Sequence, residues 1–305
     1  MAVRVGAFAV APPRGPWRSA PRRSRSGATP LLLLPLAFLG VFLVTPLVFV
    51  LTTALSDHGL RGIAAAVSDP VFPSALRRTF LIAAGVTGTT VVVGTVYALG
   101  LVLARGWLRA LLIGTLLASF WISLLVRTLG WVLLFEPAGA LDSALHVLGL
   151  LHHPLSLLQT TVGMYPAMIH IMLPYMVLPI WAAFGGLDER QIHAARGLGA
   201  TPPLILRHVV LPQVRTGIVA GVVLVFALSL GFYVTPAFLG GPGDLTIGTL
   251  VGQEFSTSAA GSFVAPSAIG LLLVLAVIAL YLVADRMLGV SERWSAPGRA
   301  APAAT

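Results

Sequence analysis

Six stretches of this chain each run for more than twenty residues with almost no charge, and they limit the fold more than any motif does. They are residues 31–55, 79–104, 110–135, 161–185, 214–238 and 263–285. A helix needs about 20 apolar residues to cross a bilayer, and each stretch is long enough. The expected fold is therefore an all-α polytopic membrane protein with six transmembrane helices. Composition agrees. The chain is 57% hydrophobic and only 10% charged, where a soluble domain carries about 25% charged residues. It has no cysteine, so disulfides, thiolate metal sites and cysteine nucleophiles are excluded.

Six crossings put both termini on one side, and the placement of basic residues decides which side that is. All 19 basic residues are arginines. Fifteen fall in the N-terminal tail, the 105–109 turn, the 186–215 segment and the C-terminal tail, while Arg61, Arg77 and Arg78 fall on the opposite side. The excess of arginine marks the cytoplasmic side. The protein is thus expected in the cytoplasmic (inner) membrane, multi-pass, with both termini cytoplasmic. Residues 1–30 are expected to be a disordered, arginine-rich tail, 31–285 the membrane domain, and 286–305 a second cytoplasmic tail. The first apolar run is too long for the 7–15-residue core of a signal peptide, so it reads as an uncleaved anchor.

Between the fourth and fifth runs lies a polar island, GGLDERQIHAARGLGATPPLILRHVVLP, residues 186–213. Asp188 suits the N-cap of a short helix, and Gly199 the residue just beyond its C-terminus. Thr201-Pro202 reads as the cap and first residue of a second short helix. Ile192, Ala195 and Leu198 make one apolar face; Arg190, His193 and Arg196 make another. A basic helix–turn–helix also suits DNA. Here it is tethered by a membrane span on each side, which leaves it little freedom to enter a groove, so no nucleic-acid partner is expected.

These residues resemble the cytoplasmic coupling loop of permeases from ABC-type importers. That pattern is Glu-Ala-Ala, three residues, Gly, nine residues, Ile, any residue, Leu-Pro. This chain has His193-Ala194-Ala195, then Gly199, then Val209, Leu211 and Pro212 at the same spacing. His193 in place of glutamate is the real departure, and it removes a carboxylate from the docking surface. The resemblance implies a type I importer permease whose loop docks into a cleft on cytoplasmic ATP-binding subunits. It also implies a second permease subunit, homologous or identical, and an extracytoplasmic solute-binding protein that delivers a small-molecule substrate.

Arg127 falls inside the third run, where a charge at membrane depth costs at least about 2.5 kcal/mol. Two readings stay open. Either Arg127 is a packed or pore-facing residue, or the span ends early and its side chain reaches the outer interface. The stretch Leu125-Val126-Arg127-Thr128, with Gly130-Trp131 and Gly139-Ala140-Leu141, resembles the third-span region of spermidine/putrescine permeases. Asp142 stands where asparagine is usual in that group. Phe232-Tyr233-Val234-Thr235-Pro236 and Gly240-Gly241 resemble the same subgroup. Arg127, Trp131 and Tyr233 are thus candidates for a substrate pathway, with polyamines the first choice and ferric iron, sulfate, thiamine or opine-like solutes the alternatives. Tyr233 suits an interfacial aromatic belt, or an ammonium held by cation–π attraction. Glu136, Asp142, Asp244 and Glu254 fall on the outer side and suit a cationic substrate, or are ordinary loop residues.

His146, His152 and His153 lack metal-ligand spacing, so no metal is expected. The sequence holds no Walker loop, GxSxG or HExxH, so neither ATP hydrolysis nor other catalysis by this chain is expected, and no cofactor. An ion-coupled secondary transporter is the rival class. It calls for acidic residues inside the spans, and only Asp285, at the end of the sixth run, approaches that.

Overall fold

The computed structural model of the chain describes residues 29–55, 63–64, 67–150, 156–257 and 264–288. Among these, every regular element is a helix. Residues 1–49 and 50–305 form two compact units. In the first, the described residues belong to helix α1, Thr29–Leu55. It is apolar on all sides, as a lipid-facing span is, and Phe38 and Phe42 lie one turn apart with ring centroids 4.4 Å from each other.

The second unit holds α2 (Val71–Leu103), α3 (Gly106–Trp121), α4 (Leu124–Phe135), α5 (Ala140–Val147) and α6 (Thr161–Phe184). These are followed by α7 (Glu189–Gly197), α8 (Pro202–Ile205), a π-helical turn (Leu206–Val210) and α9 (Leu211–Leu230). The chain then forms α10 (Val234–Leu239), α11 (Ile247–Thr257) and α12 (Val264–Leu288). Leu33–Leu55, Val71–Leu103, Leu124–Val147, Thr161–Phe184 and Pro202–Leu230 are long and apolar enough to cross a membrane, and Gly106–Trp121 and Val264–Ala279 are shorter apolar helices.

The core is built on α6, against which α2 and α9 pack. Met164, Met168, Met172 and Met176 recur every fourth residue, so they share one stripe of the helix, and all four are buried. Unbranched thioether side chains fill irregular gaps well. Here the gaps are cut by glycine. A Cβ on Gly94 of α2 would fall 2.6 Å from Met176 Cγ, and one on Gly221 of α9 would fall 2.6 Å from Met176 Sδ. Gly217 lies closer still to backbone: its Cβ would meet the Pro179 carbonyl oxygen at 2.5 Å. Small residues let helices in lipid approach until their backbones touch, because van der Waals packing is what drives association there. Pro166, Pro174 and Pro179 all lie inside α6 without breaking it. Lacking an N–H, Pro174 frees the His170 carbonyl four residues earlier.

Several expected boundaries move. The second span begins at Val71, not 79, and takes in Arg77 and Arg78. The third span is not continuous: Ile122 and Ser123 take extended backbone (ψ 134 and 138) and separate α3 from α4. The expected loops 136–160 and 239–262 contain α5 and α11. The fifth span starts at Pro202, runs through the π turn and stops at Leu230. Pro212 accounts for the π turn. Its ring cannot follow the carbonyl four residues back in a regular helix, and widening by one residue relieves the clash. Accordingly Leu211 N–H bonds to the Leu206 carbonyl, five residues back. The tails 1–28 and 289–305, and His152 and His153, lie outside the described residues.

Gly217→Ala should lower the thermal midpoint of the detergent-solubilised protein, because the new methyl meets backbone that cannot step aside. The expected cost is about 1–3 kcal/mol. Gly88→Ala, where nothing lies within 4 Å, should leave the midpoint within error.

Candidate functional site

The polar island folds as two helices about a tight turn. Asp188 caps α7, its Oδ1 accepting the Arg190 N–H at 3.0 Å. At the other end Gly199 has φ +81. The Ala200 N–H donates to the Ala195 carbonyl at 3.0 Å and the Gly199 N–H to the Arg196 carbonyl at 2.9 Å. This paired pattern is the Schellman end, which needs a left-handed residue at the position of Gly199. Thr201 precedes Pro202 in extended backbone, φ −71 and ψ 154, but its side chain makes no capping bond.

Ile192 and Ala195 turn inward and pack on the core. Leu198 does not join them: it is 88% exposed at the tip of the turn. The helix stops at Gly197, and the turn carries Leu198 off the face that helical spacing assigned to it. Ala194 and His193 are exposed, Val209 and Leu211 half-buried, and Pro212 exposed. A glutamine brace that sequence reasoning missed joins the two arms. Gln213 accepts the Asp188 N–H at 3.1 Å, and its amide donates to Gln191 Oε1 at 3.3 Å and to the Val209 carbonyl at 3.0 Å. Gln213 follows the Leu-Pro pair directly, so the π turn that Pro212 imposes also sets the brace.

A second cluster lies beside the break between α3 and α4. The indole Nε1 of Trp131 donates to His170 Nδ1 at 3.2 Å. Indole N–H is a donor only, so Nδ1 is the acceptor and the ring hydrogen of neutral His170 sits on Nε2. That atom stands 3.3 Å from Ser119 Oγ. Arg127 Nη1 donates to the same oxygen at 3.5 Å, and Arg127 Nε is buried without a partner. Among the described residues no carboxylate pairs with Arg127. Trp131 also stacks on Phe135 at 5.1 Å. The guanidinium is thus packed between helices. The sequence reading named Arg127 and Trp131 but passed over His170 and Ser119. The signal it had was a lone histidine inside a span, where an ionisable residue defaults to function.

Tyr233 stands apart from both clusters, in the turn between α9 and α10, 46% exposed. It lines a cleft with Asp244 and Gln159. The other carboxylates expected on the outer side scatter: Asp142 is buried, 3.9 Å from His146, and Glu136 and Glu254 line no part of that cleft.

A family model described as "binding-protein-dependent transport system inner membrane component" matches residues 29–296. The chain belongs to that family. It is an ABC importer permease. The spermidine/putrescine transport system permease protein PotB of Haemophilus influenzae is 32% identical over 181 residues, which is 59% of this chain and 63%, under two thirds, of that one. The inner membrane ABC transporter permease protein YdcU of Escherichia coli is 29% identical over 276 residues, 85% of this chain and 84% of that one. The fold matches a solved bacterial ABC transporter involved in alginate import, with a TM-score of 0.74 at 17% identity, covering 89% of this chain and 96% of that one. The all-α membrane fold expected from the apolar runs, and the importer-permease fold implied by the loop resemblance, are the ones observed, with five helices long enough to cross and two shorter apolar helices among the described residues.

The permease's Trp131–His170 bond can be tested by a double-mutant cycle. His170→Phe leaves the indole N–H without an acceptor and should cost about 1–3 kcal/mol in a reversible unfolding assay. Trp131→Phe in that background should then cost less than it does alone, the coupling exceeding about 0.5 kcal/mol.

Proposed function

We propose that the chain is the permease subunit through which an ATP-driven importer carries a small amine-bearing solute, a polyamine such as putrescine or spermidine, across the cytoplasmic membrane. The observation that carries the ATP-coupled part is the 186–213 loop. It is a short helix closed by a glycine end, braced to the next span by Gln213, with an apolar side chain displayed at its tip. In this reading cytoplasmic ATP-binding subunits hold the loop, with Leu198 as the apolar contact and His193 and Arg196 beside it. Closure of the ATPases moves the loop, and the π turn joins it without a hinge to α9. The movement passes to the spans as a rigid-body change between two states. A second permease subunit completes the pathway, and an extracytoplasmic binding protein delivers the solute. Both termini are cytoplasmic, in keeping with the arginine distribution.

The names of the relatives support the polyamine part, as do the carboxylate and the aromatic ring that share the outer cleft. Arg127 and Trp131 stand beside the break in the third span, and irregular backbone at membrane depth is tolerated where protein or a water-lined cavity surrounds it. A fixed guanidinium repels a polycation, so these two residues bound the pathway rather than hold the solute.

Uptake of labelled putrescine and spermidine should vanish in a strain lacking this gene and return when the gene is restored. It should collapse on ATP depletion. Unchanged uptake, with redundant carriers removed, rejects the polyamine reading. Gly199→Val should abolish uptake while membrane insertion is unchanged, since a β-branched residue does not tolerate φ +81. Leu198→Glu should release the ATPase on purification; normal uptake by both variants rejects the coupling role.

A further inference from the structure

The cleft lined by Tyr233 and Asp244 lies at the end of α6 and α9 opposite the coupling loop. The helix between the two ends, α6, has 24 residues, so they are separated by about 36 Å. The cleft measures about 330 Å³ and is walled by Gln159, Tyr233, Asp244, Thr249, Gln253 and Ser256, with glycine and proline between them. Its volume is that of a small-molecule pocket.

Its chemistry is one-sided. Asp244 accepts the Gly241 N–H at 3.1 Å and the Thr161 hydroxyl at 2.5 Å. A carboxylate has about four acceptor positions, so two remain. Among the described residues no basic side chain forms an ion pair with it. Arg78, on α2, places its Nη1 3.4 Å from where a Cβ of Gly243 would be, but it forms no ion pair with Asp244 and does not line the cleft. The Tyr233 ring rests against α11 at Gly252, where a Cβ would fall 2.5 Å from Cε2. Only glycine there lets the ring lie so close. Ser256 donates its hydroxyl hydrogen within α11, to the Gly252 and Gln253 carbonyls, so it too faces the cleft as an acceptor. Gln159 is held at φ +57, a conformation a glutamine rarely adopts and one that clusters at ligand sites. Its carbonyl lies where only glycine fits at position 241.

We infer that this cleft is a binding station for one end of a linear, ammonium-bearing solute. Asp244 takes the primary ammonium through charge-assisted hydrogen bonds. Tyr233 attracts the same cationic end through its ring, and the glutamine and serine oxygens accept the remaining N–H groups. His170, on α6, lies nine residues past Thr161, or about 14 Å deeper, and with it the Arg127 guanidinium. That positive charge opposes further entry, so the solute pauses at the cleft until the spans rearrange. The inference rests on the amine-substrate reading above and adds to it the residues that hold the solute.

The test is equilibrium binding of labelled putrescine and spermidine to the purified permease–ATPase complex, prepared without the solute-binding protein. Asp244→Asn keeps an oxygen for the Gly241 N–H but removes the charge, and should weaken binding about tenfold, the loss of one charge-assisted hydrogen bond. Tyr233→Leu should weaken it about threefold to fivefold, and Tyr233→Phe by less than about twofold. If the complete importer carries both polyamines while the wild-type and Asp244→Asn complexes bind them equally, this inference alone is overturned. If the complete importer carries neither, the substrate reading fails and the inference with it. A binding loss in Asp244→Asn matched by a fall in thermal midpoint makes Asp244 a brace of its loop and overturns the site.

Discussion

The close approach of three helices at Met176 governs the rest of this permease. In lipid, apolar side chains gain nothing by leaving their surroundings, so helices hold together by contact and shape. Gly94 and Gly221 clear space on either side of Met176, and Gly217 admits the Pro179 carbonyl. α2, α6 and α9 thereby become one body, with the 186–213 loop at one end and the Asp244 cleft at the other. The loop lies between two of these helices, α6 and α9, so a displacement of the loop moves the core directly.

The two ends of that body differ in how they hold backbone out of regular helix. At the loop, Pro212, the π turn and the Gly199 end produce a rigid corner whose polar groups satisfy one another through Gln213 and Asp188. At the cleft, the positive φ of Gln159 and the tight glycines at 240 and 241 fold short segments over one another. The corner keeps its shape and displays Leu198. The cleft keeps an acceptor-rich hollow with a carboxylate that forms no ion pair among the described residues. These are the features expected of a part that is gripped and of a part that receives a cation.

Between them, the Arg127 cluster shows how this fold packs a charge between its helices. Ser119 receives Arg127, and His170 is oriented by Trp131. The break at Ile122–Ser123 separates the helix that bears Ser119 from the one that bears Arg127. Without the break, residues 119 and 127 would lie on one helix, eight residues and about 12 Å apart.

Sequence alone determined the fold class, because runs of more than twenty apolar residues have few solutions other than crossing a membrane as helices. It also determined the shape of the 186–213 loop: Asp188, Gly199 and Pro212 act through local backbone chemistry, which needs no distant partner. What it left undecided depends on distance in space. Helical spacing placed Leu198 on the buried face of α7, but the helix ends one residue sooner and the tip points outward. No local signal marked the break in the third span, since neither proline nor glycine stands at Ile122–Ser123. His170 meets Trp131 across 39 residues, and Tyr233 and Asp244 share a cleft with Gln159, on the far side of α6 and α9 in the chain. Only packing decides such meetings, because the glycines that set how closely the spans approach act between helices and not along one.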